Sequence, residues 1–255
     1  MRSRSRVLLA CLLVLLPAAT ASAADAVATA RRLMSTWHED PSRIDRARIE
    51  LEAASAAAVS AEMLVELARA WFLTGDFRAR GEERAAAYER GSEVARRAIT
   101  AAPRNDRAHL WLALNSGRTA EMRGVMRAVT LVGTIREEAD TVLKLNPANV
   151  EGLILSAALA AEMPGFLGGD RKRAEALFKR ALEIEPRQTG GRLELARLYM
   201  SARRWAEARR ELERVVDESE PADLPRWVVS ERPRARALLA ELPDGGRLST
   251  PTQSP

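Results

Sequence analysis

From Asp25 to about Leu242, apolar residues recur every three to four positions, polar residues fill the opposite face, and short turn signals separate the segments. That is the period of an α-helix, in which residues i, i+3 and i+4 share a face. No run of alternating Val, Ile and Thr offers a strand, so the pattern predicts an all-α chain of amphipathic helices. Four helical stretches end alike: Arg97-Ala98-Ile99 ahead of Pro103, Thr141-Val142-Leu143 ahead of Pro147, Arg180-Ala181-Leu182 ahead of Pro186, and Arg214-Val215-Val216 ahead of Pro221. Those prolines are spaced by 44, 39 and 35 residues. A proline does not continue a helix, so each one closes a unit.

A period just above 34 residues, with small–large–small positions ahead of a proline, resembles tetratricopeptide helix pairs. The clearest copy begins near Thr189, where Leu195-Ala196 and Tyr199 take the first-helix positions and Ala208, Leu212 and Val215 the second-helix positions. The unit before it supplies Ala174, Phe178, Ala181 and Pro186. The small residues have a physical role, because two helices approach closely only where a side chain ends at Cβ. An earlier unit carries Leu67-Ala68, Trp71 and an expected Gly75-Asp76 turn, and Ala47, Leu51 and Ala54 give a weaker copy. The fold expected is an all-α, right-handed tetratricopeptide superhelix of about five helix pairs. Pro225 opens a last helix, Arg226 to about Leu242, that caps the stack. Extra residues fall between Gly75 and Gly91, between Leu112 and Ile135, and between Glu162 and Ala174. They are expected as insertions, and insertions in such arrays often gather on one binding face.

Composition fits packed helices: 47% hydrophobic, 29% charged and only 4% aromatic residues. Cys11 is the single cysteine and His38 and His109 the only histidines, so an intrachain disulfide is excluded and a zinc, haem or iron–sulfur site lacks ligands. The net charge of +5 includes Arg2, Arg4 and Arg6. Without them, 37 basic groups face 35 acidic ones with no separate basic stripe, which argues against nucleic-acid binding.

Those three arginines belong to a start that reads as a secretion signal. Met1–Arg6 is positively charged, Val7–Leu16 is a short apolar run, and Ala21-Ser22-Ala23 is a small-x-small cleavage triplet. The run is too short to span a bilayer. Leu8-Leu9-Ala10-Cys11 approaches a lipoprotein box, but the apolar run continues past the cysteine, so lipidation is not expected. The predicted organisation is a signal peptide over 1–23, a helical repeat domain over 24–242 and a polar, disordered tail over 243–255, with export to the periplasm.

No catalytic constellation is present. The histidines are 71 residues apart, and neither Gly-x-Ser-x-Gly nor Gly-x-x-x-x-Gly-Lys occurs. No enzymatic activity, cofactor or metal is expected. In the loop Pro164-Gly165-Phe166-Leu167-Gly168-Gly169-Asp170, Asp170 reads as the cap of a helix starting at Arg171, and Glu175 with Lys179 as an i,i+4 pair on a solvated face. Binding is sought on the helix from Asp106 to Arg118. Arg107, Trp111, Asn115 and Arg118 form one stripe there, while His109, Leu112, Ala113 and Ser116 turn toward the paired helix. Arg, Trp and Asn together suit an extended peptide or a carboxylate. The alternative is that Trp111 packs on the adjacent repeat and the arginines pair with glutamates.

The order Pro103…Ala108-His109-Leu110-Trp111-Leu112-Ala113…Pro147…Pro164-Gly165-Phe166-Leu167-Gly168-Gly169-Asp170…Ala174 resembles exported bacterial tetratricopeptide-repeat proteins. Within them it is similar to the T component associated with tripartite ATP-independent periplasmic (TRAP) transporters. The resemblance implies a helical scaffold that associates with itself and with a periplasmic solute-binding protein. Two readings follow: a periplasmic protein-interaction scaffold, or a transporter accessory that holds a small apolar ligand where the inserted loops meet, with Phe166, Gly168 and Gly169 in that loop.

Overall fold

The computed structural model describes residues 23–243, except residues 58, 164, 166 and 167. Five helix pairs follow one another among them: α1 (Ala23–Met34) with α2 (Ser42–Ala57), α3 (Ala61–Phe77) with α4 (Gly81–Ala101), α5 (Asp106–Arg123) with α6 (Val125–Leu145), α7 (Val150–Glu162) with α8 (Arg171–Ile184), and α9 (Thr189–Ser201) with α10 (Trp205–Asp217). A C-terminal helix closes the array as α11 (Leu224–Arg226), a π-helical turn over Trp227–Glu231, and α12 (Arg232–Glu241). The repeat superhelix with its capping helix is thus present as the pattern predicted. Of the expected signal peptide (1–23) and tail (243–255), all but Ala23 and Pro243 lie outside the described residues, and Ala23 is the first residue of α1.

Four linkers use one device. In Pro103-Arg104-Asn105, Pro147-Ala148-Asn149, Pro186-Arg187-Gln188 and Pro221-Ala222-Asp223, the proline stops one helix and the residue two places on caps the next. Asn105 accepts from the amides of Arg107 and Ala108, Asn149 from Gly152, Gln188 from Gly190 and Asp223 from Arg226. Each cap satisfies an amide that would otherwise lack a partner, worth about 1 kcal/mol. Asp170 does the same for α8, accepting from Lys172 and Arg173. In the C-terminal helix Pro233 has no amide hydrogen, and its ring crowds the carbonyl of Val229. The preceding turn widens accordingly, and Arg232 donates five residues back to Trp227.

The core forms two large clusters joined by a small one. The first gathers Trp37, Trp71, Phe72, Tyr88 and Trp111 from α2–α5 and their linkers, and the second gathers Phe178, Leu193, Leu195, Leu212 and Val215 from α8–α10. Between them lie Ala113, Ala120, Leu131 and Ile135. Ala181 and Ala208, predicted at helix contacts, are both fully buried.

Three expectations need correction. The extra residues between Gly75 and Gly91, and between Leu112 and Ile135, are helix rather than inserted loop: α4 and α6 each run 21 residues and α5 runs 18. Ala, Glu and Arg dominate the first of those stretches and favour helix, so the added length extends the rods. Gly124 alone joins α5 to α6, at φ 80 and ψ −178, a conformation reserved for glycine. Secondly, Gly75-Asp76 is no turn but lies inside α3, where a Cβ on Gly75 would fall 2.4 Å from the Tyr88 ring. Thirdly, Glu175 is not simply solvated. Besides Lys179 at 2.7 Å it meets Arg204 at 2.5 Å and the Tyr199 hydroxyl at 3.1 Å, tying α8 to α9 and to the start of α10. These partners, Arg204 foremost, hold its carboxyl down at about 2.

Candidate functional site

The first helices α3, α5, α7 and α9, with the C-terminal helix, enclose a cavity of about 340 Å³ on the concave side, and no second helix of a pair lines it. Three of the four present the same register to it, i, i+3 and i+7: Arg69, Phe72 and Asp76 from α3, Trp111, Leu114 and Arg118 from α5, and Glu151, Ile154 and Ala158 from α7. The cap Gln188 with Gly191 and Glu194 lines it at α9, and Asp223, Arg226, Glu231 and Arg234 at the C-terminal helix. A broader recess of about 720 Å³ adjoins it and shares Arg69, Trp111, Glu151, Gln188 and Asp223.

Asp76 is the electrostatic centre of the cavity. Its carboxylate accepts from the Tyr88 hydroxyl at 2.6 Å, lies 3.5 Å from Arg118 Nε, and lies 3.4 Å from Nη2 of Arg226, 150 residues further along the chain. Arg226 also stacks over Phe72 at 5.3 Å and Phe77 at 6.0 Å, so the last helix reaches across to the second pair. Burial works against the charge of Arg118, but Asp76 and Glu121 outweigh it and hold that guanidinium proton more tightly than usual. Burial, then Asp76, pushes the Tyr88 phenol above its ordinary value.

A second buried carboxylate sits beside the wider recess. Glu66 on α3 is fully buried, and it accepts from Arg31 Nε at 2.7 Å and Arg107 Nη2 at 2.6 Å, with Arg69 at 3.7 Å. Burial would raise its pKa, yet Arg107, Arg69 and Arg31 reverse this and leave it below the usual carboxylate range. A third is Glu231, in the π-helical turn and 9% exposed. Its Oε2 accepts from the Thr189 hydroxyl at 2.6 Å, and its Oε1 lies 2.8 Å from the point a Cβ on Gly190 would occupy. Here burial prevails and raises the carboxyl.

The predicted stripe is only partly on this surface. Arg118 lines the cavity, Trp111 lines both cavity and recess, and Arg107 lines the recess while bound to Glu66. Trp111 is nevertheless 7% exposed and packs on Phe72 with ring centroids 5.5 Å apart, so it is a core residue whose edge forms wall. Asn115 does not belong to the groove. It is fully buried, and its Nδ2 donates to the Trp111 carbonyl at 2.8 Å and to the Ala68 carbonyl at 3.3 Å. Asn115 lies about 100° around the helix from Leu114 and about 60° from Arg118, at the edge of the stripe that packs on α3 and α4. It lies so close to α4 that a Cβ on Gly91 would fall 2.2 Å from its Oδ1. His109 turns, as expected, to the paired helix, with Nδ1 2.5 Å from Glu138.

In the loop before α8, Pro164, Phe166 and Leu167 lie outside the described residues. Gly168, at φ 86, lines a separate pocket of about 160 Å³ with Arg136, Ser156 and Leu159, and Gly169 precedes the cap Asp170. That pocket uses the α7 face carrying Ser156, Leu159 and Ala160, and the main cavity uses the face carrying Ile154, Leu155 and Ala158. The loop therefore does not meet the large cavity at its described residues. Sequence reasoning missed Phe72, Asp76, Arg226 and Glu231, although extending the i, i+3, i+7 register of α5 to α3 would have found the first two. Among the described residues, no cluster of three metal-ligating side chains occurs, and no helix is long and apolar enough to cross a membrane.

A tetratricopeptide-repeat family model matches residues 166–228. The chain has the tetratricopeptide-repeat fold. Residues 29–155 of this repeat protein also match a model described as Regulator of microtubule dynamics protein 1-3. A solved structure similar to it is TTC0263, a thermophilic tetratricopeptide-repeat protein of Thermus thermophilus, at 20% identity and a TM-score of 0.60, covering 83% of this chain and 97% of that one. MamA of MSR-1 is more distant, at 21% identity and a TM-score of 0.45 over 74% of this chain and 97% of that one. No curated protein matches the sequence.

Proposed function

We propose that this repeat protein is an exported, non-enzymatic scaffold whose concave cavity and adjoining recess hold a segment of another protein. The observation that supports the reading is the cavity wall itself, assembled from one register of the first helices and closed by Arg226 over Asp76. Repeat arrays of this kind use such surfaces to bind proteins. A wall that mixes aromatic rings, guanidinium groups and carboxylates suits a polypeptide better than a reaction centre. Export rests on the charged start, short apolar run and Ala21-Ser22-Ala23 triplet. The mature chain then begins at Ala24, without a lipid on Cys11.

Cross-linking in periplasm, followed by mass spectrometry, tests both parts. The intact mass should correspond to a start at Ala24, and an acylated Cys11 would overturn the export route as stated. The cross-linked partner should be lost on Arg118→Glu, because a carboxylate there faces Asp76 and Glu121 and breaks the wall that Arg118 holds together. Retention of the partner by a folded Arg118→Glu variant would remove the groove from consideration.

A further inference from the structure

The strongest unexplained feature of the cavity is Gly117. It lies mid-helix in α5, on the wall, one residue before Arg118. Glycine weakens a helix interior, so its presence there calls for a reason. At Gly91 a Cβ would strike Asn115, and at Gly190 it would strike Glu231. At Gly117 a Cβ would meet nothing within 4 Å. Gly133 in α6 is equally open, but Gly117 lies on the cavity wall, where it leaves room for an occupant against the α5 backbone.

The surroundings indicate what that occupant is. Phe72, Trp111, Leu114, Ile154 and Leu155 give the wall an apolar part large enough for a bulky side chain. The charged part is unbalanced: Asp76, Glu121, Glu151, Glu194, Asp223 and Glu231 face four arginines, in a chain whose net charge is +5. Three of those arginines are already engaged, Arg118 by Asp76 and Glu121, Arg226 by Asp76 and Asp223, and Arg69 by Glu66. Glu194 is paired with Arg197, so the wall's carboxylates without an ion pair among the described residues are Glu151 and Glu231. Glu231 is nine-tenths buried, and only its Oε2 accepts a hydrogen bond among the described residues. Burying such a carboxylate is unfavourable unless a cation or donor reaches it.

We infer that the cavity seats an apolar side chain of an extended partner segment against Gly117, with a lysine or arginine of the same segment at Glu231 and Glu151. This rests on the proposed groove and assigns its chemistry. The shape supplies the pocket for the apolar group, and the excess of carboxylates supplies selection for the basic one.

Calorimetric titration of the full chain with three synthetic heptapeptides tests it: Gly-Ser-Lys-Phe-Lys-Ser-Gly, its Glu-Phe-Glu counterpart and its Lys-Ala-Lys counterpart. The first should bind and the other two should be at least about tenfold weaker. Gly117→Leu should abolish binding of the first peptide and Gly117→Ala weaken it, with melting temperatures at or above that of the parent. Glu231→Gln should weaken it about tenfold, and added salt should weaken it further. The inference is overturned if the acidic peptide binds as well as the basic one, if no peptide binds, or if folded Gly117→Ala and Gly117→Leu bind like the parent. The groove reading has a separate readout. Loss of the periplasmic partner on Gly117→Leu, with no preference for the basic peptide, leaves the groove standing and removes only its assigned chemistry. Retention of the partner in that variant removes both.

Discussion

The first three helix pairs bury Trp37, Trp71, Phe72, Tyr88 and Trp111, tie α1, α3 and α5 together through the buried Glu66 and its three arginines, and use second helices of 21 residues in α4 and α6. The last two pairs use helices of 13 or 14 residues around Ala174, Phe178, Leu195, Ala208 and Leu212, and their charged network around Glu175 lies nearer the surface. Both halves stack the same unit. Both halves bring small residues to close helix contacts, Ala174 and Ala208 in the regular half and Gly75 and Gly91 in the irregular one. The irregular half packs large rings and buried ion pairs, which tolerate longer helices but leave less freedom to any single side chain. The two family matches divide along this line, the repeat model at 166–228 and the other at 29–155.

That contrast is open to test, beginning with the largest effect. Trp111→Ala should cost about 3–5 kcal/mol, since it opens a large cavity beside Phe72. Hydrogen exchange should show protection lost first in α3–α6, because repeat arrays fail locally. Uniform loss over all helices would mean that the halves are one cooperative unit. Ala208→Asp should cost about 3 kcal/mol by burying an unpaired carboxylate, with protection lost first in α8–α10. A change near zero would show that the repeat contact is not close at that position.

Two glycines sharpen the comparison within the irregular half. Gly91→Ala drives a methyl group to 2.2 Å from Asn115 Oδ1 and should destabilise by about 1–3 kcal/mol. Gly117→Ala enters open space and should stabilise by about 0.5–1 kcal/mol through helix propensity. Urea midpoints that move in the same direction for both would contradict the assignment of Gly117 to an open wall.

The smallest effect lies in the regular half. The carboxyl of Glu175 is held down at about 2 against an ordinary value of 4.5. A lowered folded pKa means that its stabilisation is full above about 4.5 and fades as pH falls from there toward about 2. Because the partners are partly exposed, Glu175→Gln should cost about 1 kcal/mol at neutral pH. The difference from the parent should vanish below pH 2, which thermal melts across pH 2–7 will measure.

The class of fold and most of its punctuation follow from local features of the chain. Proline followed two places later by Asn, Gln or Asp both ends and begins helices through local hydrogen bonds, so the linkers at 103–105, 147–149, 186–188 and 221–223 are legible without any tertiary contact. Ala174, Phe178, Ala181 and Ala208 were legible for a similar reason, since helix periodicity and side-chain size fix them. Which side of α5 faces the groove depends on packing between helices. The difference between Asn115 buried and Arg118 on the wall is a rotation of less than a turn, set by how Gly91 lets α4 approach. Packing also decides the site's other half, because Asp76 and Arg226 stand 150 residues apart and meet only when five helix pairs have curved the last helix back over the second pair. Periodicity is a local property, and closure of a superhelix accumulates small rotations over its whole length.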